Sequence, residues 1–160
     1  MIKKIDEGSG ISFLLRKFAS LAADKNLEKI VFSGSSFTCI PFAELAAYSS
    51  RKTSKSYFIP NTEIAKAKKL VEGEIGIEVS ELEEKKELSN PSALVLLGGL
   101  AMPQTKTGIE DVKELIDKLS PSCLIGMCFM GIFFDEDWVE TLDFKYLLDT
   151  TFNPVKLYKK

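Results

Sequence analysis

The chain has 160 residues, with 21 Lys and Arg against 23 Asp and Glu, three cysteines and no histidine. The length suits one domain spanning residues 1–160, and a formal net charge of −2 gives no bulk attraction to nucleic acid or to an anionic membrane. Without histidine, Ser-His-Asp and Cys-His nucleophile systems and His-containing zinc sites are excluded, so any acid–base chemistry must use Asp, Glu, Lys, Tyr or Cys.

Ile11, Leu14, Leu15, Phe18, Leu21 and Ala22 recur at helical spacing and predict a helix over 11–25. Residues 29–32 are a short, β-branched apolar run and predict the first strand, which ends at Ser33-Gly34-Ser35-Ser36. A second helix is expected from about Thr38, with Pro41 tolerated in its first turn and Arg51-Lys52 suiting its negative end. Residues 56–59 predict a second strand. Asn61 or Thr62 suits the cap of a third helix, with Ile64, Ala67 and Val71 inward and Gly73 as its stop. Residues 75–79 predict a third strand, and Ser80-x-x-Glu83 has the capping-box form of a short helix.

Asn90-Pro91 breaks the chain ahead of the continuous apolar run 94–97, the fourth strand, which ends in Gly98-Gly99. Thr107-x-x-Glu110 opens the clearest helix, with Ile109, Val112, Leu115, Ile116 and Leu119 on one face. Residues 123–129 predict a fifth, buried strand. Asp135 suits the cap of a short helix containing Trp138, Val139 and Leu142. Residues 146–152 predict a last strand, and 155–158 an edge pairing.

Strands alternating with helices predict an α/β fold, a three-layer sandwich around a doubly wound, mostly parallel sheet of five to six strands. The expected order is the Rossmann-like 3-2-1-4-5-6, or the flavodoxin-like 2-1-3-4-5 if one short strand does not form. The longest uncharged apolar stretch, 123–134, has twelve residues against the roughly 20 a bilayer requires. The N-terminus lacks an apolar signal region, and three cysteines without framework spacing fit reduced thiols, so a cytoplasmic protein is expected.

In an open α/β sheet, ligands bind beyond the carboxyl ends of the strands, where the strand order reverses. Here that point falls between the first and fourth strands. Two loops rich in glycine and hydroxyls meet there, and Gly34, Ser35, Ser36, Thr38 and Cys39 of one face Gly98, Gly99, Thr105, Lys106 and Thr107 of the other. Glycine allows close backbone approach, each loop leads into a helix N-terminus, and Lys106 adds a cation. Together they suit a phosphate or carboxylate, and a small anionic ligand is the partner expected. The bland reading is that small residues simply turn a strand tightly into a helix. Neither GxxxxGK[ST] nor GxGxxG is present in strand–helix context, so a dinucleotide-type pyrophosphate site is not expected. No metal site is expected, and the residues specify no cofactor.

Two further readings stay open. An enzyme in the same crevice would use Cys39 or Cys128 as a thiol, or Asp135 as an acid–base group. For each thiol the alternative is ordinary packing, and for Asp135-Glu136-Asp137 it is helix capping rather than a Mg²⁺ site. A structural or regulatory subunit, including a homo-oligomer, would act through the apolar segment 123–134 and an edge at 155–158.

The segments IVFSGSSFT (30–38), LVLLGGLAMP (94–103) and IGMCFMGIF (125–133) together resemble an uncharacterised Rossmann-like family of methanogenic and related archaea. Gly98 to Pro103 is its most specific part. The resemblance covers nearly the whole chain and implies an α/β sandwich and a cytosolic archaeal source, but no activity and no catalytic residue. A weaker similarity is to sugar-phosphate isomerase-type domains, whose first strand also ends in a loop like Gly34-Ser35-Ser36. Their second loop carries serine where this chain has Gly98-Gly99.

Overall fold

The structure, a computed structural model, describes residues 2–160. In chain order it contains α1 (Gly10–Asp24), β1 (Lys29–Gly34), α2 (Ile40–Ser50), β2 (Lys55–Pro60), β3 (Lys68–Glu72), β4 (Ile77–Glu81) and β5 (Ala93–Leu97). Then follow α3 (Ile109–Leu119), β6 (Leu124–Phe129), the single turns α4 (Ile132–Asp135) and α5 (Trp138–Thr141), and β7 (Tyr146–Thr150). Short 3-10 turns occupy Ile64–Lys66, Lys85–Leu88 and Gly98–Ala101.

One seven-stranded sheet has the order β4-β3-β2-β1-β5-β6-β7. Five neighbouring strands, β2, β1, β5, β6 and β7, are parallel, whereas β3 is antiparallel to both β2 and β4. Count and order therefore depart from the five to six strands expected. The segment expected as a third helix is instead the turn Ile64–Lys66 followed by β3, inserted between the second and third expected strands. The expected helix after Ser80 is absent too, because β4 runs on to Glu81 and only a 3-10 turn forms at Lys85–Leu88. The helix formers of 63–69 are overruled by tertiary context. Leu70 lies in register between Ser56 of β2 and Val79 of β4 and reaches the core. Lys69 meets Glu87, which also accepts a hydrogen bond from the Tyr57 hydroxyl at 3.1 Å.

Alternation along the parallel strands builds a separate core on each face. Ile30, Phe32, Phe58, Val95, Leu97, Ile125 and Met127 meet α1 and α2, where Leu14, Phe18 and Ala22 form a stripe and Ala43, Ala46 and Ala47 admit close approach. Val31, Ile59, Leu94 and Leu96 face the other way, against Val112, Leu115 and Leu119 of α3 and against Phe133 and Trp138. Each fully buried Leu, Ile or Phe contributes roughly 1.5–3 kcal/mol by leaving water.

Two local expectations shift. The α3 cap lies one residue further on, where the Gly108 N–H donates to the Asp111 carboxylate at 2.8 Å. Residues 155–158 form no edge strand and are exposed coil. The apolar segment 123–134 is mostly interior as β6, so its apolarity serves the core rather than a contact surface. No helix among the described residues is long and apolar enough to cross a membrane.

Candidate functional site

The carboxyl ends of β1, β2 and β5 open into a cleft of about 710 Å³. The β1 and β2 ends are locked together. The Asn61 N–H donates to the Gly34 carbonyl at 2.7 Å, and the buried Ser33 hydroxyl donates to the Asn61 carbonyl. On the β5 side, the Thr105 hydroxyl donates to the Gly99 carbonyl at 2.6 Å and the Thr105 N–H to the Met102 carbonyl at 2.9 Å, folding the loop back on itself.

Of the ten residues expected at the site, six line this cleft: Ser35, Ser36, Thr38, Thr105, Lys106 and Thr107. The other four are one layer behind it. A Cβ on Gly34 would lie 2.5 Å from Cys39 Cβ, and one on Gly98 would lie 2.8 Å from Cys128 Cβ. Gly99 backs onto Ser35 and Cys39 in the same way. These glycines let strand ends and loops touch. The loop after β2 contributes Asn61, Thr62 and Glu63, and the first turn of α3 contributes Asp111, all absent from the expected set. The strand order itself points to the β2 loop, since β2 is the other neighbour of β1.

The helix N-termini have less to offer an anion than expected. Thr38 and Cys39 donate their N–H groups to Ser36 and Ser35 carbonyls at 2.8 and 3.2 Å, and Pro41 has none. At α3, Glu110 and Asp111 already occupy the positive end of the helix. Lys106 is the one cation lining the cleft, and it makes no ion pair among the described residues. Glu63 pairs with Lys66 at 2.7 Å, and that ammonium holds its carboxyl below the usual range.

Both cysteines are packed in cores, the alternative to a crevice thiol. Cys39 is buried in the α1–α2 core, 3.3 Å from the Ser35 hydroxyl, while Cys128 is buried in the opposite core. Burial pushes the Cys128 thiol up to about 12, reinforced by the Asp149 carboxylate that accepts its hydrogen bond at 3.3 Å. Such a thiol is protonated at neutral pH and is a poor nucleophile. Asp149 also accepts the N–H of Gly131 at 2.9 Å, a position with φ of 74°. Asp135 lies outside the cleft, and no group of three Cys, Asp or Glu side chains able to hold a metal ion occurs among the described residues.

A family model described as an uncharacterized protein conserved in archaea (DUF2124) matches residues 9–153. The chain belongs to this archaeal family. An uncharacterized protein of Methanocaldococcus jannaschii is 44% identical over 159 residues, covering 99% of this chain and 96% of that one. One from Methanothermobacter thermautotrophicus is 41% identical over 150 residues, covering 92% and 94%. A crystal structure of a protein of unknown function from M. thermautotrophicus superposes with a TM-score of 0.87 at 36% identity, covering 99% of each chain. The resemblance drawn from residues 30–38, 94–103 and 125–133 thus names the right family. Two of those segments end at the cleft, and the third ends beside it with Cys128 packed behind Gly98.

Proposed function

We propose that the protein binds a small, hydroxyl-rich molecule bearing one anionic group in the cleft beyond β1, β2 and β5. The observation that carries this is the character of the lining. Six hydroxyls (Ser35, Ser36, Thr38, Thr62, Thr105 and Thr107) and the amides of Asn61 and Gln104 surround a single ammonium, Lys106. Ordinary ligand pockets are mostly apolar, with a few polar groups. Here Met102 is the only apolar side chain, which favours a polyol over a flat aromatic ligand. Glu63 and Asp111 accept hydrogen bonds from ligand hydroxyls and disfavour a second anionic group, while Lys106 pairs with the first. The location supports the same reading, because strand order reverses at β1 and β5 and open α/β sheets place ligands there. Such a site suits a Rossmann-like binding domain, and a cytoplasmic metabolite fits it.

Calorimetric titration with a panel of pentose and hexose phosphates, the free sugars and inorganic phosphate tests the proposal. A sugar phosphate should bind saturably and more tightly than its free sugar. Lys106→Gln should weaken the phosphate ester at least tenfold, about 1.4 kcal/mol, and leave the free sugar unchanged. No saturable binding across the panel, or equal affinity in the variant, contradicts it.

A further inference from the structure

Two exposed segments on opposite sides of the molecule are complementary. At one edge of the sheet, β4 pairs only with β3, so its outer backbone groups are open. Residues 72–84 carry six glutamates and no lysine or arginine. Glu74, Glu78 and Glu83 make no ion pair among the described residues, and Val79 is exposed beside them. Near the opposite edge, the chain after β7 is pinned at Phe152, whose ring stacks on Phe129 of β6 at 5.2 Å. It then runs free as Val155-Lys156-Leu157-Tyr158-Lys159-Lys160. Val155, Leu157 and Tyr158 are 84%, 98% and 82% exposed, and the three lysines make no ion pair among the described residues.

We infer that the basic tail of one copy, residues 155–160, adds as a strand to the open, acidic β4 edge of a second copy of this chain. An extended peptide joining a sheet edge draws affinity from main-chain hydrogen bonds and specificity from alternating side chains. The tail has that alternation. Val155 and Leu157 fall on one side, to lie against Ile77 and Val79, with Lys159 beyond them; Lys156 falls on the other, beside Glu78, with Tyr158 and Lys160 further along. The charge pattern also selects the mode. Glutamates along β4 repel another β4 edge, a familiar guard against edge-to-edge association, yet attract a lysine-bearing strand.

The tail cannot reach its own β4. Five strand spacings separate β6, on which Phe152 stacks, from β4, about 24 Å at roughly 4.8 Å each. Val155 lies three residues past the pinned Phe152, a reach of about 10 Å. Any partner edge therefore belongs to another molecule. Since each copy owns both elements, association yields a closed ring or a longer chain, at a multiple of 17.8 kDa.

Light scattering on the full chain eluting from a sizing column at low salt tests this. The wild type should run at twice 17.8 kDa or more. Lys156→Glu/Lys159→Glu/Lys160→Glu should fall to the mass of one chain, as should Glu74→Lys/Glu78→Lys/Glu83→Lys. Mixing the two variants, which restores opposite charges across the contact, should restore the larger mass. All six side chains are exposed, so both variants should fold, which circular dichroism checks. Leu157→Ser, at a side chain almost wholly in solvent, should weaken association at least tenfold without touching the charges. A monomeric wild type, an unchanged mass in either charge variant, or a mixture that stays monomeric overturns the inference.

Discussion

Strand β5 is Ala-Leu-Val-Leu-Leu, and every one of its residues is buried; β4, at the edge of the same sheet, is Ile-Glu-Val-Ser-Glu, and none is. β5 has a parallel neighbour on each side and a core on each face. β4 has one neighbour, and only Ile77 packs against a core. Burial, and with it most of the folding free energy, is thus concentrated in the parallel strands whose carboxyl ends make the cleft. The antiparallel hairpin adds an edge and contributes little to what holds the site. The proposed ligand site lies on the packed half and the inferred association surface on the polar half, a sensible division, since positioning needs packed support and docking needs open backbone.

The largest expected contrast comes from removing one apolar side chain from each region. Leu96→Ala, in the fully buried centre, should cost about 2–5 kcal/mol in urea unfolding. Val79→Ala, on the exposed edge, should stay within about 0.5 kcal/mol. Comparable losses at both sites would erase the distinction.

Alkaline pH probes the same core without a cavity. The folded Cys128 thiol titrates near 12, above the roughly 8.5 of an unfolded cysteine. Between those values the unfolded chain has released a proton that the folded chain keeps, so stability falls as pH rises. The slope is about 1.4 kcal/mol per pH unit for this one group. Burial raises the thiol of Cys123 and the phenol of Tyr57 in the same direction. Unfolding followed from pH 8 to 11 should show the decline, and Cys128→Ala should make it shallower. An unchanged slope would locate the pH sensitivity elsewhere.

How far the sequence revealed each region follows from the same asymmetry. Strands buried on both faces are continuous apolar runs, so β1, β5 and β6 are visible in Ile30–Phe32, Leu94–Leu97 and Leu124–Phe129. The segment that becomes β3 offers no such run. Among Lys68, Lys69, Leu70, Val71 and Glu72 only Leu70 is buried, so strand alternation leaves almost no trace, while Ile64, Ala67 and Val71 mimic a helical face. The strand-end rule found the loops after β1 and β5. It passes over the loop after β2 because the expected third helix takes Asn61 or Thr62 as its cap. Cys39, Gly34, Gly98 and Gly99, expected as ligand contacts, lie behind the lining of the cleft. Sequence alone does not say whether a small residue faces a ligand or the backbone behind it, and here close packing takes all four.

Smaller effects sharpen the border between the regions. The buried Ser56 hydroxyl of β2, beside β3, has no hydrogen-bond partner among the described residues. Ser56→Ala should therefore raise stability, by about 1 kcal/mol, in the same urea assay; destabilisation would mean that the hydroxyl is satisfied in solution. Smallest of all, Lys106→Gln should leave stability within about 0.5 kcal/mol while removing affinity for an anionic ligand. A large loss of stability would recast Lys106 as structural.

The most direct test of the central claim is an amide chemical-shift map of the 15N-labelled protein, titrated with a sugar phosphate. The cleft account predicts saturable shifts at residues 35–38, 61–63 and 102–107, with the hairpin amides of 68–81 unmoved. Shifts centred on the hairpin, or none at the three loops at millimolar ligand, would contradict it.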